Sequence, residues 1–310
     1  MAKTYGVLSD LHSADYRIII PSLQIMKENE CDAVVLNGDM SGEMTGKTPL
    51  DCLGLAIKAA GELGLEVYAL PGSHEQPELF GSLMDYCKEK QPHVIDASKN
   101  PKIEMPDHHI IFLPGSNSQP ASMRSFYWLQ DNYESGDYTD KSGNIAVMTN
   151  IADLERLVTE PEKTVLFSHV PRRFVAKNGN GCVDRADFYV AARTFGLGND
   201  VVEEGTRIQK AVGDRLARDG APVAFRSENV GSERLRELCL KLGLNKSVTG
   251  HLHESAGKAH DSRCRPVEEG VFVDELFYNA SCLDKLMAGM VTVDGPKIAY
   301  ERIDLSKHLK

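Results

Sequence analysis

The chain has 310 residues, of which 42% are hydrophobic and 26% are charged, and its formal net charge is −10 at pH 7. This composition is typical of a globular protein, and the negative charge argues against broad, charge-driven binding to nucleic acid or to an acidic membrane. The sequence has no uninterrupted run of about 18 apolar residues, so no membrane span is expected.

The first half of the chain alternates strand-like and helix-like segments. Strands are predicted at residues 4–9, 33–36, 66–70, 109–113 and 163–167, an apolar stretch covers residues 16–26, and helices are predicted at residues 49–63 and 77–90. Pro49 suits a first helical turn, and Gly64 suits the end of the same helix. This alternation predicts an α/β fold with a largely parallel sheet at its core.

The second half is less regular. Residues 115–150 are polar and predict a surface excursion. Residues 174–229 form an apparent insertion of mixed charge with a helix candidate at about 202–218; such charge favours a solvated face, and the alternative is a lid that supplies arginines to a pocket. Strands are predicted at residues 271–273, 276–279, 290–293 and 298–303, with a hairpin turn at Asp294-Gly295.

The cysteines and the first residues bear on the cellular compartment. The seven cysteines are an odd number and include no Cys-x-x-Cys pair, which favours free thiols in a reducing environment. Met1, Ala2 and Lys3 lead directly into a strand-like run and do not resemble a secretory signal. We therefore expect a cytoplasmic protein.

Five short motifs with metal-type ligands each follow a strand-like run. They are Asp10-Leu11-His12, Gly38-Asp39, Gly72-Ser73-His74-Glu75, Ser168-His169 and Gly250-His251-Leu252-His253. In an extended segment, residues two apart point to the same face, so each Asp-x-His or His-x-His pair can bind one ion. The carboxyl ends of the strands in an α/β sheet lie close together, so we expect these side chains to converge. Carboxylate and imidazole ligands together suit Mn²⁺, Fe or Zn²⁺.

This ordered set resembles the calcineurin-like metallophosphoesterase superfamily. The family pattern is Asp-x-His, Gly-Asp, Gly-Asn-His-Asp/Glu, His and Gly-His-x-His, and the resemblance covers about residues 4–280. It implies a four-layer α-β-β-α sandwich with two mixed β-sheets. It also implies a single domain over residues 1–310, with residues 174–229 as an insertion or lid within it.

The resemblance also implies a site that holds two divalent metal ions, with Mn²⁺ as the first choice and Fe or Zn²⁺ as alternatives. Asp39 would bridge the two ions, and a metal-activated hydroxide would attack phosphorus. His74 would protonate or steady the leaving oxygen, with Glu75 orienting it, and Asn279 would form part of the pocket wall and contact the substrate. The metal ligands implied in this way are Asp10, His12, Asp39, Ser73, His169, His251 and His253.

Two departures from the family pattern qualify this prediction. Ser73 stands where the family has asparagine, and its shorter hydroxyl predicts weaker binding of the second ion. The arginine that protein Ser/Thr phosphatases carry soon after Gly38-Asp39 is missing, which argues against a phosphoprotein phosphatase. Arg172 and Arg173 are the candidates for replacing it in phosphate contact, because a guanidinium binds phosphate oxygens through a planar fork.

The predicted function is therefore hydrolysis of a small phosphodiester or phosphomonoester. One alternative is a nuclease of the same superfamily, which needs a basic track and is disfavoured by the acidic charge. The other is a protein-binding scaffold with weakened chemistry, which is disfavoured because six of the seven ligand positions and His74 are retained.

Overall fold

A computed structural model describes residues 2–12, 16–40, 50–91, 93–117, 125–175, 182–198 and 200–308. These residues form twenty strands and six α-helices, joined by short 3-10 turns. The strands are β1 (Lys3–Leu8), β2 (Ala33–Asn37), β3 (Glu66–Leu70), β4 (Val94–Asp96), β5 (Lys102–Glu104), β6 (His109–Leu113), β7 (Phe126–Gln130), β8 (Gly136–Thr139), β9 (Ile145–Asn150), β10 (Thr164–Ser168), β11 (Arg185–Ala191), β12 (Phe195–Leu197), β13 (Asp200–Val202), β14 (Arg207–Gln209), β15 (Val223–Asn229), β16 (Lys246–Thr249), β17 (Ala259–His260), β18 (Leu276–Asn279), β19 (Met287–Asp294) and β20 (Lys297–Asp304). The helices are α1 (Ile19–Glu28), α2 (Leu50–Glu62), α3 (Pro77–Lys90), α4 (Leu154–Leu157), α5 (Lys210–Arg218) and α6 (Glu233–Leu242).

Two mixed six-stranded sheets form the centre of the fold. Their strand orders are β20-β19-β1-β2-β3-β4 and β17-β18-β16-β10-β6-β5. Strands β1 to β4 pair in parallel in the first sheet, and β6, β10, β16 and β18 pair in parallel in the second. The antiparallel hairpin β19–β20 turns at Asp294 and Gly295, as the sequence predicts.

The two sheets pack face to face, and helices cover their outer faces. Tyr68 on β3 and Phe112 on β6 meet between the sheets, with ring centroids 5.5 Å apart. Alternate residues of β2 face opposite ways, because side chains along a strand alternate between its two faces: Val35 joins the core between the sheets and Leu36 joins the core beneath α1, α2 and α3. Helices α4 and α6 cover the second sheet. The predicted four-layer α-β-β-α sandwich is confirmed.

Helix positions in the first half agree with the sequence prediction. Helix α2 begins at Leu50 and ends at Glu62, and Gly64 follows it with a φ of +69°. A positive φ strains residues that carry a Cβ atom, so glycine suits this helix end. The predicted role of Pro49 lies outside the described residues.

Several expectations for the loops need correction. Within residues 115–150, strands β7, β8 and β9 form a three-stranded sheet rather than an irregular excursion. The helix expected at about 202–218 begins only at Lys210, because β14 occupies residues 207–209. Residues 271–273 form no strand; Val273 makes only an isolated bridge to Ile298.

The insertion forms a sheet of its own. Strands β14, β11 and β15 pair in that order, and β12 and β13 form a separate hairpin. Helix α5 packs on one face of the three-stranded sheet, where Tyr189, Ile208 and Leu216 belong to a small apolar cluster. These described residues of the insertion are therefore not part of either central sheet.

The cysteine expectation is wrong at two positions. Cys182, which precedes β11, forms a disulfide with Cys264, 82 residues further along the chain. The five other cysteines are buried. The bond connects the start of the insertion to the loop that follows β17.

Among the described residues, no helix is both long enough and apolar enough to cross a bilayer.

Candidate metal centre

The five motifs meet at one edge shared by the two central sheets. The first three follow β1, β2 and β3 of one sheet, and the last two follow β10 and β16 of the other. The turns are tied to one another through the backbone: the amide of Leu11 donates to the carbonyl of Asp39 at 2.8 Å, and the amide of Gly250 donates to the carbonyl of His169 at 3.1 Å. The sandwich therefore converts five separate segments of sequence into one cluster.

Asp39 lies at the centre of this cluster and is 2% exposed. Its Oδ2 atom lies 3.0 Å from Nε2 of His169, 3.9 Å from Nε2 of His12 and 4.0 Å from Nε2 of His74. Together with His251, these side chains make two ligand groups that share Asp39, and within each group the ligand atoms lie within 4.8 Å of one another. The carboxylate of Asp39 therefore belongs to both ligand groups.

Asp10 anchors a third ligand group with His12 and His253. The expectation that His251 and His253 bind one ion as a pair is wrong, because these two side chains belong to different groups. Nε2 of His253 lies 3.2 Å from Oδ1 of Asp10, and the backbone amide of His251 donates to Oδ2 at 3.0 Å. The hydroxyl of Ser9 also donates to Oδ2, at 2.7 Å. Asp10 is thus fully buried and held from several sides.

The backbone at the ligands adopts left-handed conformations. The φ angles are +56° at Asp10, +53° at Asp39 and +66° at His251. Residues with a Cβ atom rarely adopt such angles, and strain of this kind is concentrated at functional sites. Gly38 has a φ of +85°, and a Cβ atom there would lie 2.6 Å from Nδ1 of His169. Glycine is therefore required at this position, because it has no Cβ atom.

The orientation of His169 directs Nε2 towards the other candidate ligands. Its Nδ1 lies 2.9 Å from the carbonyl oxygen of Asn37. A carbonyl can only accept, so Nδ1 carries the proton and Nε2 faces Asp39 and His251. The sequence marked His169 as a ligand, and the fold adds the partner that fixes its tautomer.

Electrostatic interactions hold unlike charges together in the cluster when no cation is bound. Burial alone would lower the pKa of His169, but the Asp39 carboxylate raises it to about 9. Burial would likewise lower the pKa of His253, but its hydrogen bond to Asp10 raises it to about 11. Burial, and then the charge of His169, lower the pKa of His251 to about 4. The carboxylates thus hold protons on imidazoles that a metal ion would replace.

Glu75 connects the turns that carry the ligands. Its carboxylate accepts hydrogen bonds from the backbone amides of Asp39 at 3.0 Å, Met40 at 2.7 Å and Gly72 at 2.7 Å. The sequence predicted that Glu75 orients the neighbouring His74. Its hydrogen bonds also hold the turn at Asp39 against the turn at Gly72.

Ser73 and His74 also contact Asp39. The Ser73 hydroxyl donates to Oδ2 at 2.7 Å, and the backbone amide of His74 donates to Oδ1 at 2.9 Å. The His74 side chain is 20% exposed and its ring meets that of His12 at a centroid distance of 4.5 Å. His74 therefore lies at the solvent-facing side of the ligand cluster.

Asn279 lies behind the cluster and is fully buried. Its Nδ2 donates to the carbonyls of Gly250 at 3.2 Å and Leu252 at 3.0 Å. These are the residues that precede His251 and His253. Asn279 thus holds the loop that carries two ligands, a contact different from the substrate contact predicted from the sequence.

The fold does not bring the two predicted arginines to the cluster. Arg172 is buried, with its guanidinium carbon 3.9 Å from the ring centroid of Phe277 and its Nη1 donating to the carbonyl of Leu244 at 3.3 Å. Arg173 lies 3.8 Å from the carboxylate of Glu233 on the surface. We therefore do not include Arg172 and Arg173 in the substrate site proposed below.

A cleft of about 1120 Å³ opens over the ligand cluster. His12, His74 and His253 line one side, and Phe188, Arg207 and Gln209 of the insertion line another. Asp284 and Lys285 also reach the cleft: Asp284 accepts the backbone amide of His12 at 3.1 Å, and Lys285 donates to the carbonyl of His253 at 2.8 Å. Sequence reasoning missed Asp284 and Lys285, because neither residue lies in a ligand motif.

A family model for calcineurin-like phosphoesterases matches residues 3–255. The chain belongs to this family. Family membership supports metal-dependent hydrolysis of phosphate esters, and the donor set of buried carboxylates and imidazoles fits divalent cations.

One comparison with a solved structure shows the fold of this phosphoesterase and nothing further. One crystal structure of another chain matches 97% of this chain and 99% of its own length at 10% identity, with a TM-score of 0.54, which shows a shared fold. YfcE, a phosphoesterase from E. coli, matches 47% of this chain and 78% of its own length at 12% identity, with a TM-score of 0.24. A comparison with curated proteins gives no match.

Proposed function

We propose that this calcineurin-like phosphoesterase is a dinuclear metal-dependent enzyme that hydrolyses a small phosphodiester or phosphomonoester. The observation that supports the proposal most strongly is the position of Asp39, whose carboxylate belongs to one ligand group with His12 and His74 and to another with His169 and His251. A carboxylate shared between two imidazole groups is suited to a pair of cations acting on one phosphate.

The ligand residues divide into two positions that share Asp39. We assign the first to Asp10, His12, Asp39 and His253, and the second to Asp39, Ser73, His169 and His251. Mn²⁺ is the proposed ion at both, with Fe or Zn²⁺ as alternatives. Two such cations would supply an activated water nucleophile and neutralise the phosphoryl oxygens.

His74 is the proposed general acid. Its side chain is partly exposed on the cleft, and its backbone amide is fixed by Asp39. A proton held on the His74 ring can pass to the leaving oxygen as the phosphorus–oxygen bond breaks. Asp39 fixes both the ligand cluster and the turn that presents this imidazole.

The insertion is proposed to act as a lid over the cleft. Phe188 and Arg207 face the same cavity as His74 and His253. A wall at this position limits access of water and favours a small ester over a long nucleic-acid strand. The proposed partner is therefore a small phosphate-ester substrate.

The test is hydrolysis of 4-nitrophenyl phosphate and bis(4-nitrophenyl) phosphate by metal-stripped protein titrated with Mn²⁺. We expect turnover to require Mn²⁺ and to saturate at two ions per chain. His74→Ala should lower kcat by about 10²- to 10⁴-fold, the usual contribution of a general acid, while both ions still bind.

His93→Ala is the matched control, because His93 is an exposed histidine outside the cleft. It should leave turnover unchanged. Two bound ions with no turnover of either ester by the wild-type protein would contradict the proposal and favour the scaffold alternative. Preference for one of the two esters would select between monoester and diester chemistry.

A further inference from the structure

The insertion presents an aromatic ring and a guanidinium to the cleft from one face of its sheet. Phe188 on β11 is the cross-strand partner of Gln209 on β14, and Val190 is the partner of Arg207. Cross-strand partners and residues two apart share a face, so Phe188 and Arg207 are diagonal neighbours on one face. Tyr189 and Ile208, one residue along each strand, face α5 instead.

Phe188 supports the guanidinium of Arg207. The guanidinium carbon lies 4.8 Å from the ring centroid, and Phe188 itself is only 8% exposed. A guanidinium over an aromatic face is attracted by the ring quadrupole, and its position is restricted by the contact. The ring therefore holds Arg207 without using its N–H donors.

Arg207 differs from the other cations of the cleft in having its donors available. Lys210 donates to Asp214 at 2.7 Å, and Lys285 donates to the carbonyl of His253 at 2.8 Å. Within the described part of the chain, the guanidinium of Arg207 has no carboxylate or carbonyl partner. An exposed guanidinium of this kind binds a carboxylate or phosphate through two parallel hydrogen bonds.

The carboxylates on the insertion side of the cleft are already engaged. Asp214 accepts from Lys210 and from the Tyr189 hydroxyl at 2.9 Å, and Asp187 accepts from the Ser227 hydroxyl. Their charge is therefore partly compensated by donors of the insertion itself. An anion that enters beside Arg207 meets an unpaired cation.

The size of the cleft points to a substrate larger than phosphate alone. Its volume of about 1120 Å³ exceeds what a phosphoryl group at the ligand cluster would fill. Pockets for organic ligands typically have volumes of about 300–1,000 Å³. The wall that contains Phe188 and Arg207 is then available to the part of the substrate that is remote from the scissile phosphate.

We propose that Phe188 and Arg207 form a subsite for a second anionic group, a carboxylate or a phosphate, carried by the organic part of the phosphate ester. This inference rests on the proposed function, because it places the scissile phosphate at the Asp39 cluster. It makes Arg207 a specificity-determining residue. The substrate class is then a phosphate ester with two negatively charged ends.

The test compares 4-carboxyphenyl phosphate with 4-carbamoylphenyl phosphate, which differ in the charge of the remote group. Each compound is used as the monoester or the methyl diester, according to the ester that the Mn²⁺-loaded protein prefers. We expect the wild-type protein to favour the carboxylate in kcat/KM by about tenfold to a hundredfold, the usual range for a charge-assisted contact. Arg207→Gln should abolish this preference, with a large loss of kcat/KM for the carboxylate ester and a smaller loss for the carbamoyl ester, whose carbonyl oxygen is a neutral acceptor.

Two further variants separate recognition from a merely structural role. Arg207→Lys retains the charge without the planar fork and should keep part of the preference. Arg193→Gln removes an arginine of the insertion that does not line the cleft, and it should keep the full preference. Equal losses for both esters in Arg207→Gln, or no preference in the wild-type protein, would overturn the inference.

Equilibrium binding distinguishes failure of the subsite from failure of the proposed function. Binding of 4-carboxybenzylphosphonate and 4-carbamoylbenzylphosphonate is measured by calorimetry with the Mn²⁺-loaded protein. If neither ester is hydrolysed, tighter binding of the carboxylate that depends on Arg207 supports the subsite and contradicts the enzyme. Equal binding of the two phosphonates by the wild-type protein contradicts the subsite whether or not hydrolysis occurs.

Discussion

The Glu75 carboxylate and the Asp39 backbone amide are joined by a hydrogen bond of 3.0 Å. Both side chains are buried, at 1% and 2% exposure, and both are acidic. Burying the Glu75 carboxylate beside that of Asp39 therefore costs free energy. The hydrogen bond to Glu75 in turn fixes the position of the turn that carries Asp39.

We expect Glu75→Gln to lower both stability and metal affinity. The amide of glutamine replaces one acceptor oxygen with a donor, which would face the amide of Met40 or of Gly72 and Asp39. A buried amide left without an acceptor costs about 1–3 kcal/mol. Urea unfolding measures the loss of stability, and titration with Mn²⁺ measures the loss of affinity. Glu89→Gln on α3 is the control, and a Glu75→Gln variant as stable as wild type would contradict this role.

Asn279 provides a test between holding a loop and contacting substrate. Its Nδ2 donates to the carbonyls on either side of His251, so Asn279→Leu should loosen the segment that carries His251 and His253. Residues that orient metal ligands typically contribute about 10- to 100-fold to metal affinity. We expect a loss of that size in Mn²⁺ binding. A raised KM with unchanged Mn²⁺ affinity would instead favour the substrate contact predicted from the sequence.

The fold brings the predicted ligand residues together in one cluster, and the sequence predicts this convergence because each motif is local. Asp10 and His12 lie on either side of Leu11, and each motif follows an apolar run that forms a strand in the fold. Contacts that are not local to a motif could not be predicted from the sequence. The partners that fix His169 and Asn279 are backbone carbonyls, which carry no signature in the sequence of side chains.

The insertion shows a second limit of prediction from sequence. Residues 202–218 have the charge pattern of a surface helix, yet residues 207–209 form a strand because they pair with β11. Pairing with a distant segment decides whether such residues form a strand or a helix, and local propensity does not predict that pairing. Closeness in sequence is equally unreliable for the arginines. Arg172 and Arg173 are close to His169 in sequence but lie outside the cleft, whereas the distant Arg207 lines it.

The protonation of the cluster predicts that metal binding releases protons. In the metal-free protein, Asp39 raises the pKa of His169 to about 9, and Asp10 raises that of His253 to about 11, each against the effect of burial. Both rings are therefore protonated at neutral pH and must lose a proton to bind a cation. Affinity for Mn²⁺ should rise with pH and fall as the solution becomes more acidic.

Calorimetry in buffers of different ionisation enthalpy measures these protons directly. We expect release of about one to two protons per chain at neutral pH, since His251, with a pKa lowered to about 4, is already neutral. His169→Ala should release fewer protons than the wild-type protein. Binding heats that do not depend on the buffer would contradict the proposed protonation.

The disulfide between Cys182 and Cys264 should stabilise the attachment of the insertion. It closes a loop across 82 residues, and the Ser255 hydroxyl further ties Cys182 and Arg185 to the segment after His253. Removal of a native disulfide typically costs about 2–5 kcal/mol. We expect a reductant to lower the unfolding temperature of the wild-type protein and to have no effect on the Cys182→Ser, Cys264→Ser double variant.

Counting thiols in denatured, unreduced protein provides the direct check on this bond. Five thiols should react if Cys182 and Cys264 are paired, out of the seven cysteines of the chain. A count of seven would contradict the disulfide. It would also remove the expected effect of the reductant on the unfolding temperature.

Ser73 gives the last prediction, which concerns the second metal position. Its hydroxyl donates to Oδ2 of Asp39 at 2.7 Å, so it lies beside the shared ligand, but its side chain is shorter than the asparagine of the family pattern. Ser73→Asn should bring a carbonyl oxygen into the cleft and raise occupancy of the second position when Mn²⁺ is limiting. Ser73→Ala, which removes the hydroxyl and keeps the backbone contacts to Asp39, should lower it. Metal analysis after equilibrium dialysis measures both, and an unchanged ratio of Mn²⁺ to protein in the two variants would exclude Ser73 as a ligand.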